Sequence, residues 1–462
     1  MVAAPDGRVG FEPRNLAEAQ KHSSWPLWNA SMLKEKNGLF DRGTFERCSK
    51  ADVPAGVKVL GSQFVFKDKK VTGAKSRIVV RGDQQWPKPD TADTFSATPT
   101  PTEVRTLLAL AVQNNYALHS LDISQAFVQA DELPADANLF IYPPQGSNEP
   151  PGTIWKLKRP LYGLAVAPRA WSETFKRFIT EYGFTPVNNS DTLYAWTDDT
   201  KTHHMHLVFH VDDILLSFSD NSSAADFKRS LLKRFSGSDE GSLKRYLGID
   251  FTRDANKLHM TQAAYAQEIL ERFGMADCKP CSAPMDAGFT ISKEDCPDTP
   301  DSARRQIYQE ITGALQYLVQ WTRPDLAFAT NELSKANSNP AEKHLAAAYR
   351  VLRYLKGCAH LGLTYTRDLE HANRLIAFAD ADFAACVDTR RSISSYIVMM
   401  NGSAISWKSR QQKSVATSTS QAEFVSASWA ADEILWLRRT LLDLNAPQLQ
   451  PTPLWRTIAP AA

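Results

Sequence analysis

Two adjacent carboxylates inside an apolar stretch constrain this chain more than any other feature. HLVFHVDDILLSF, residues 206–218, sets Asp212 and Asp213 between two β-branched apolar runs, each of which predicts a buried strand in a tight hairpin. Ionised oxygen is costly to bury without a partner. Strand side chains alternate faces, so adjacent aspartates cannot both point the same way from a regular strand. With the pair at the bend, Asp212 points across the sheet face and Asp213 sits in the turn. Aspartate is a good turn former, so a solvated turn satisfies the pattern; so does a bound cation.

A second strand-end carboxylate lies upstream, where LDISQAF places Asp122 ahead of Phe127. Two such aspartates brought together would hold a pair of Mg²⁺ ions about 3.5–4 Å apart, the arrangement used for in-line phosphoryl transfer. Mg²⁺ takes hard carboxylate oxygens plus substrate phosphates and needs no closed protein cage. Spacing alone does not show that residues 122 and 212 meet.

The rest of the chain is ordinary for a globular protein. It has 462 residues, 43% hydrophobic and 23% charged, with a net charge of +2, so any polyanion partner has to be argued from local clusters. No run approaches the roughly 18 apolar residues of a membrane span, and MVAAPDGRVGFEPRN lacks the basic start and apolar core of a secretory signal. Six dispersed cysteines point to a reducing interior rather than a disulfide scaffold.

Mixed hairpins and helices predict α+β modules in series. VLGSQFVFKDKKVTGAKSRIVVRG (59–82) reads as a hairpin turning at Thr72-Gly73, and Thr102-Glu103 as the start of the helix EVRTLLALAVQNN. WSETFKRFITEYGF is an amphipathic helix closed by Gly183. Beyond Asp220 helices dominate until LTYTRD, RLIAFADADF and SYIVMMNGSAISW return to strands, followed by a last long helix through WLRRTLLDL. Residues 446–462, like 1–14, are Pro-rich and unpatterned, and are expected to be loosely ordered tails. The 59–82 hairpin carries Lys67, Lys69, Lys70, Lys75, Arg77 and Arg81 against one acid, Asp68, which is either a solvated face or a phosphate-binding one.

Taken together, SQFVFKDK, KSRIVVRGDQQ, DTFSATPTPTEVRTLLALA, LDISQAFVQADELP, LYGLAVAPRAW, FHVDDILL, LKRYLGIDF, TRPDLAFATNELSKA, HLAAAYRVLRYLKG, FADADFA and ISWKSRQQKSVATSTSQAEF occur in the order of one known family. Over roughly residues 15–445 the chain resembles the reverse transcriptase and RNase H portion of copia-type (Pseudoviridae) retrotransposon Pol polyproteins. Protease and integrase blocks are absent, so a piece of such a polyprotein, or a gene derived from one, is expected.

The resemblance implies a right-hand polymerase of fingers, palm and thumb, followed by a connection and a truncated RNase H-like domain. Its expected boundaries are 15–250 for fingers and palm, 251–365 for thumb and connection, and 366–445 for the partial RNase H-like part. Asp122, Asp212 and Asp213 fall on the catalytic aspartates; the first two would bridge two Mg²⁺ (or Mn²⁺) ions, with Asp213 in support. Lys67, Lys70, Arg77, Phe127 and Gly163 fall on nucleotide-binding positions, where Arg77 would grip the triphosphate and Phe127 would clash with a 2′-hydroxyl. Implied partners are an RNA template, a DNA primer, their hybrid and deoxynucleotides, with no membrane. The implied location is intracellular, in cytoplasmic particles, the nucleus or both.

Departures from the family temper this. LYGLAVAPRAW has Ala165-Val166 where the family usually shows Lys-Gln, and His210 replaces a Tyr before VDD. The nuclease end supplies Asp380 and Glu423, but the family's third aspartate has no counterpart in APQLQPTPLWRTIAPAA, so a non-cleaving remnant is expected. Cys278-Lys-Pro-Cys281 lacks a second CxxC, and His204, His206 and His210 on one strand face are a weak zinc pattern. The competing readings are a decayed or co-opted nucleic-acid-binding product and, less consistent with the surrounding blocks, a metal-dependent phosphohydrolase.

Overall fold

The computed structural model describes residues 11–69, 73–134 and 136–456. Its chain divides into two units, neither continuous in sequence. One comprises Met1–Ala97, Asp122–Phe184 and Arg229–Ser238; the other comprises Thr98–Leu121, Thr185–Lys228 and Asp239–Ala462.

In the first unit the basic stretch forms the expected hairpin. Ser62–Lys69 pairs antiparallel with Gly73–Val80, in register from Ser62↔Val80 to Lys69↔Gly73. Lys70 and Thr72 lie outside the described residues. Ser76, Ile78 and Val80 alternate inward and leave Lys75 and Arg77 on the other side. The buried edge packs on a helix the sequence reading did not assign, Trp25–Asp41. Its inward positions Trp28, Met32, Glu35, Lys36 and Leu39 keep helical spacing, but two are charged, which breaks the apolar period. Both charges have partners: Lys36 donates to the Ser147 carbonyl at 2.6 Å, and Gln125 donates to Glu35 at 2.7 Å. A three-stranded sheet completes this core, with Phe45 stacked on Trp155 at 4.2 Å.

The second unit is built around the apolar run LLALAV. Its helix, Pro101–Gln113, is buried on all sides. The capping residue is Thr100, two positions before the expected start: its hydroxyl accepts from the Glu103 amide, and the Glu103 carboxylate accepts from the Thr100 amide. Pro101 then fills the first helical position, where no N–H is needed. The six-stranded sheet runs in the order Gly237–Ser242, Ala117–Ile123, Asp213–Phe218, His204–His210, Leu193–Thr197 and Thr185–Pro186. Leu118, Val208 and Leu215 from this sheet share a core with the helix.

Farther along, helices Ala263–Arg272, Ser302–Trp321, Ala327–Ser334 and Glu342–Gly357 share another core. A last sheet orders Ser403–Gln411, Ile393–Met400, Ile376–Asp382 and Leu454–Arg456, with the long helix Thr419–Asp443 crossing over it. The expected tail at 446–462 thus contributes a strand. It is only three residues long, but its parallel partner and the Ala377 amide bonded to the Pro453 carbonyl at 2.9 Å fix it. Among the described residues no helix is long and apolar enough to cross a membrane.

Arg105 joins three of these elements. Its guanidinium donates to the carbonyls of Ile405 at 2.7 Å, Gln320 at 2.6 Å and Trp321 at 3.2 Å, and lies 3.9 Å from the Trp407 ring centre. Burial pulls its pKa down to about 10, which leaves it charged at neutral pH.

His206 is the buried polar anomaly of the six-stranded sheet. It is 1% exposed, pairs across the strands with Ser217, and neither ring nitrogen has a hydrogen-bond partner. Burial, with a smaller contribution from His204, lowers its pKa from 6.5 to about 3. The folded chain therefore keeps His206 neutral while the unfolded chain takes up a proton below pH 6.5, so stability falls as acid is added. Between pH 7 and about pH 5 this one residue should cost about 2 kcal/mol. Urea denaturation of wild type and His206→Leu at both pH values is expected to show that difference in pH sensitivity; equal loss in the two proteins would refute it.

Candidate functional site

The basic hairpin, the segment after Asp122 and the LYGL loop converge within the first unit. Gly163 has φ +92°, and a Cβ there would lie 2.1 Å from the Val80 carbonyl oxygen, so only glycine allows the loop this close. The Val80 amide bonds the Tyr162 carbonyl at 2.7 Å. Tyr162 consequently stands between two expected nucleotide-binding residues: the Arg77 guanidinium is 5.1 Å from its ring centre, and the Phe127 ring is 5.0 Å away on a tilted plane. Arg77 Nε is buried with no hydrogen-bond partner. Arg77, Phe127 and Gly163 are thus brought together through a tyrosine that the sequence reading did not single out, although it lies inside the LYGL block.

Lys67 is placed differently. Its ammonium forms an ion pair with Glu12 at 3.0 Å, on the surface of the hairpin. Lys70, also expected at the nucleotide, is among the residues not described.

The Asp122 segment is held rigidly. Asp122 is half-buried near the end of Ala117–Ile123. Beyond it the Ser124 amide bonds the Ser236 carbonyl at 2.9 Å, and the Gln129 amide bridges the carbonyls of Ser124 and Ser236 at 2.7 and 2.8 Å. Gln125 is left-handed at φ +53° and donates to Glu35 at 2.7 Å. Burial raises the Glu35 pKa, partly offset by the Ile78 backbone and then by that amide, and its other carboxyl oxygen is buried without a hydrogen-bond partner. Glu35 was not legible as a site residue because nothing in its helix marks it.

In the second unit, Asp212 and Asp213 occupy the tip of the hairpin. His210 pairs with Asp213, so Val211 and Asp212 form a two-residue loop: Asp212 sits in the turn and Asp213 opens the returning strand, the reverse of the expected placement. Val211 has φ +54°, a conformation that a β-branched residue adopts only under strain. Both carboxylates are half-exposed. Asp213 lies near Tyr246, a buried hydroxyl without a hydrogen-bond partner whose pKa rises first through burial and then through the Asp213 charge. Tyr246 is a second neighbour that the sequence reading missed.

Carboxylates at one turn suit Mg²⁺, which takes one or two protein carboxylates and completes its shell with water and substrate phosphates. Among the described residues, no group of three or more His, Cys, Asp or Glu side chains could hold a metal by protein ligands alone. All six cysteines are free.

The nuclease-like acids do meet. Asp380 is exposed on Ile376–Asp382, and Glu423 lies on the Thr419–Asp443 helix, where it accepts from the Ala381 amide at 3.3 Å. Burial raises the Glu423 pKa, the Asp380 charge adds to the rise, and Arg456 opposes it.

Comparison with known proteins identifies the family. Residues 46–287 match the family described as reverse transcriptase (RNA-dependent DNA polymerase). The chain is 31% identical over 450 residues to the retrovirus-related Pol polyprotein from transposon TNT 1-94 of Nicotiana tabacum, covering 95% of this chain and 33% of that protein. It is also 31% identical over 445 residues to the corresponding polyprotein from transposon RE1 of Arabidopsis thaliana, covering 95% and 29%. The chain therefore spans about a third of the length of these relatives. A solved foamy viral protease–reverse transcriptase in complex with double-stranded DNA has a similar fold, with TM-score 0.51 at 13% identity over 93% of this chain and 62% of that one. On the family match and the copia-type relatives, the chain belongs to the reverse transcriptase (RNA-dependent DNA polymerase) family.

Proposed function

We propose that the chain is an RNA-directed DNA polymerase of a copia-type retrotransposon, extending a DNA primer on an RNA template, with an RNase H-like part that does not cleave. The observation that most directly supports it is the strained carboxylate turn, with Val211 left-handed beside Asp212 and Asp213, inside the region matched by the reverse transcriptase family. Strain of this kind persists where the surrounding structure fixes a functional group.

In this reading Asp122, Asp212 and Asp213 are the catalytic carboxylates that the family resemblance assigns, and they would be the ligands of two Mg²⁺ or Mn²⁺ ions. Bound there, the ions would activate the primer 3′-oxygen and neutralise charge on the transferred phosphoryl group. The chain's own side chains do the rest. Arg77 binds the incoming triphosphate with a forked, charged donor pair. Phe127 and Tyr162 form the wall under the sugar, and Gly163 leaves the backbone room to approach. Glu35 acts through Gln125 to hold the segment between Asp122 and Phe127.

A second reading, nucleic-acid binding without polymerisation, is favoured by two observations. Lys67 is neutralised by Glu12, and Ala165-Val166 present no polar group beside the LYGL loop. Restoring Lys-Gln at 165–166 separates the two: activity gained only in that variant would identify the natural chain as a binding protein.

Three outcomes are expected. Purified protein extends a DNA primer on RNA with Mg²⁺ or Mn²⁺, and Asp212→Asn lowers the rate at least about 100-fold, since even residues behind a metal ligand matter 10- to 100-fold; extension untouched by that change would sink the assignment. Glu35→Ala lowers kcat/KM for deoxynucleotide about tenfold or more, mainly through KM, without changing primer–template affinity; steady-state kinetics paired with anisotropy would expose a purely structural role as a loss in both. An RNA–DNA hybrid incubated with the wild type stays intact on a denaturing gel, and hybrid-specific fragments would mean the nuclease site is complete.

A further inference from the structure

The second unit contains a cavity of about 390 Å³ that the polymerase reading does not use. It lies between the start of the Pro101–Gln113 helix, the Ser302–Trp321 and Ala327–Ser334 helices, and the outer half of the Ser403–Gln411 strand. Its size is that of a small-ligand site. Its chemistry is one-sided: Arg105, Lys408 and Arg410 line it, and among the described residues no Asp or Glu does.

Three observations bear on what such a cavity takes. Arg105 is a guanidinium 3% exposed, yet no carboxylate pairs with it among the described residues. Its hydrogen bonds go to backbone carbonyls and the Glu433 charge acts on it without forming an ion pair, an arrangement that leaves its positive charge only partly compensated in a poorly solvated place. Asn331 Nδ2 and Ser409 Oγ, both in the lining, are buried with no hydrogen-bond partner. Neither Lys408 nor Arg410 has an ion pair among the described residues; Lys408 lies 5.5 Å from the Trp429 ring centre. Unpaired cations beside unpaired donors ask for an acceptor-rich anion.

We propose that this cavity is a phosphate-binding site, with Lys408 and Arg410 pairing the anion and Asn331 and Ser409 donating to its oxygens over the fixed charge of Arg105. The phosphate is either a backbone phosphodiester of bound nucleic acid or the phosphate of a free nucleotide. No catalytic step is involved, so the site stands whether or not the chain polymerises.

The test uses the whole chain and two probes. A fluorescein-labelled RNA–DNA hybrid is followed by anisotropy across a NaCl series, and dATP and inorganic phosphate are titrated by calorimetry. The variant is Lys408→Gln with Arg410→Gln, both exposed, its folding checked against wild type by urea denaturation. A control of equal charge change, Lys201→Gln with Lys257→Gln, sits elsewhere on the surface. For nucleic acid, the variant should weaken hybrid binding about tenfold and reduce the salt slope by about one to two, with the control unchanged and Arg410→Lys near wild type. For a free nucleotide, hybrid binding stays, the heat of phosphate binding disappears in the variant, and dATP loses only the part of its heat that phosphate competes away in the wild type. If neither probe distinguishes the variant from wild type, or if the control falls as far as the variant, the proposal is overturned.

Discussion

One guanidinium sets the architecture of the second unit. Arg105 projects from the helix that carries the apolar run Leu107–Val112, and among the described residues it forms no ion pair with a carboxylate. It finds instead the terminal carbonyls of the Ser302–Trp321 helix and the Ile405 carbonyl of a strand. The last carbonyls of a helix lack partners within it and carry the negative end of the helix dipole, so a cation there satisfies two needs together. Because the charge is buried, the carbonyls must stay where they are. The helix end, the strand and the Pro101–Gln113 rod are consequently fixed as one body.

In the first unit the equivalent constraint is steric. Backbone meets backbone where the LYGL loop passes Val80, and side-chain atoms are excluded on both sides: a Cβ on Gly82 would strike the Gly163 carbonyl as one on Gly163 strikes Val80. That contact fixes Tyr162, and Tyr162 in turn gives Arg77 and Phe127 a common surface. Electrostatics then refines the arrangement. Glu35, Gln125 and Gln129 are buried or half-buried polar groups whose bonds run between segments distant in sequence, so each reports on the position of the others.

What could be read in advance follows from the range of the interactions. The basic hairpin, the carboxylate hairpin and the long helices announce themselves by local period, and Gly183 ends its helix left-handed as the sequence predicts. The cap at Thr100 was displaced by two residues because Thr100 and Thr102 both precede the same Glu103 run, and only Thr100 stands three positions before it. Trp25–Asp41 went unread because its buried face carries charges that are satisfied only by distant partners. The strand at Leu454–Arg456 went unread because parallel pairing needs no local signal. Of the site, residue types in recognisable blocks were legible, whereas Tyr162, Tyr246 and Glu35 gain meaning only from neighbours in space.

Both units are assembled from interrupted stretches of chain, which bears on how the protein is made. A ribosome delivers residues in order, and the first unit lacks its last strip, Arg229–Ser238, until the intervening Thr185–Lys228 of the second unit has emerged. Long before then, Thr98–Leu121 has appeared with the longest apolar run of the sequence, LLALAV, and none of its later partners. For that interval LLALAV faces water, and a nascent chain held there exposes the surface on which it would aggregate.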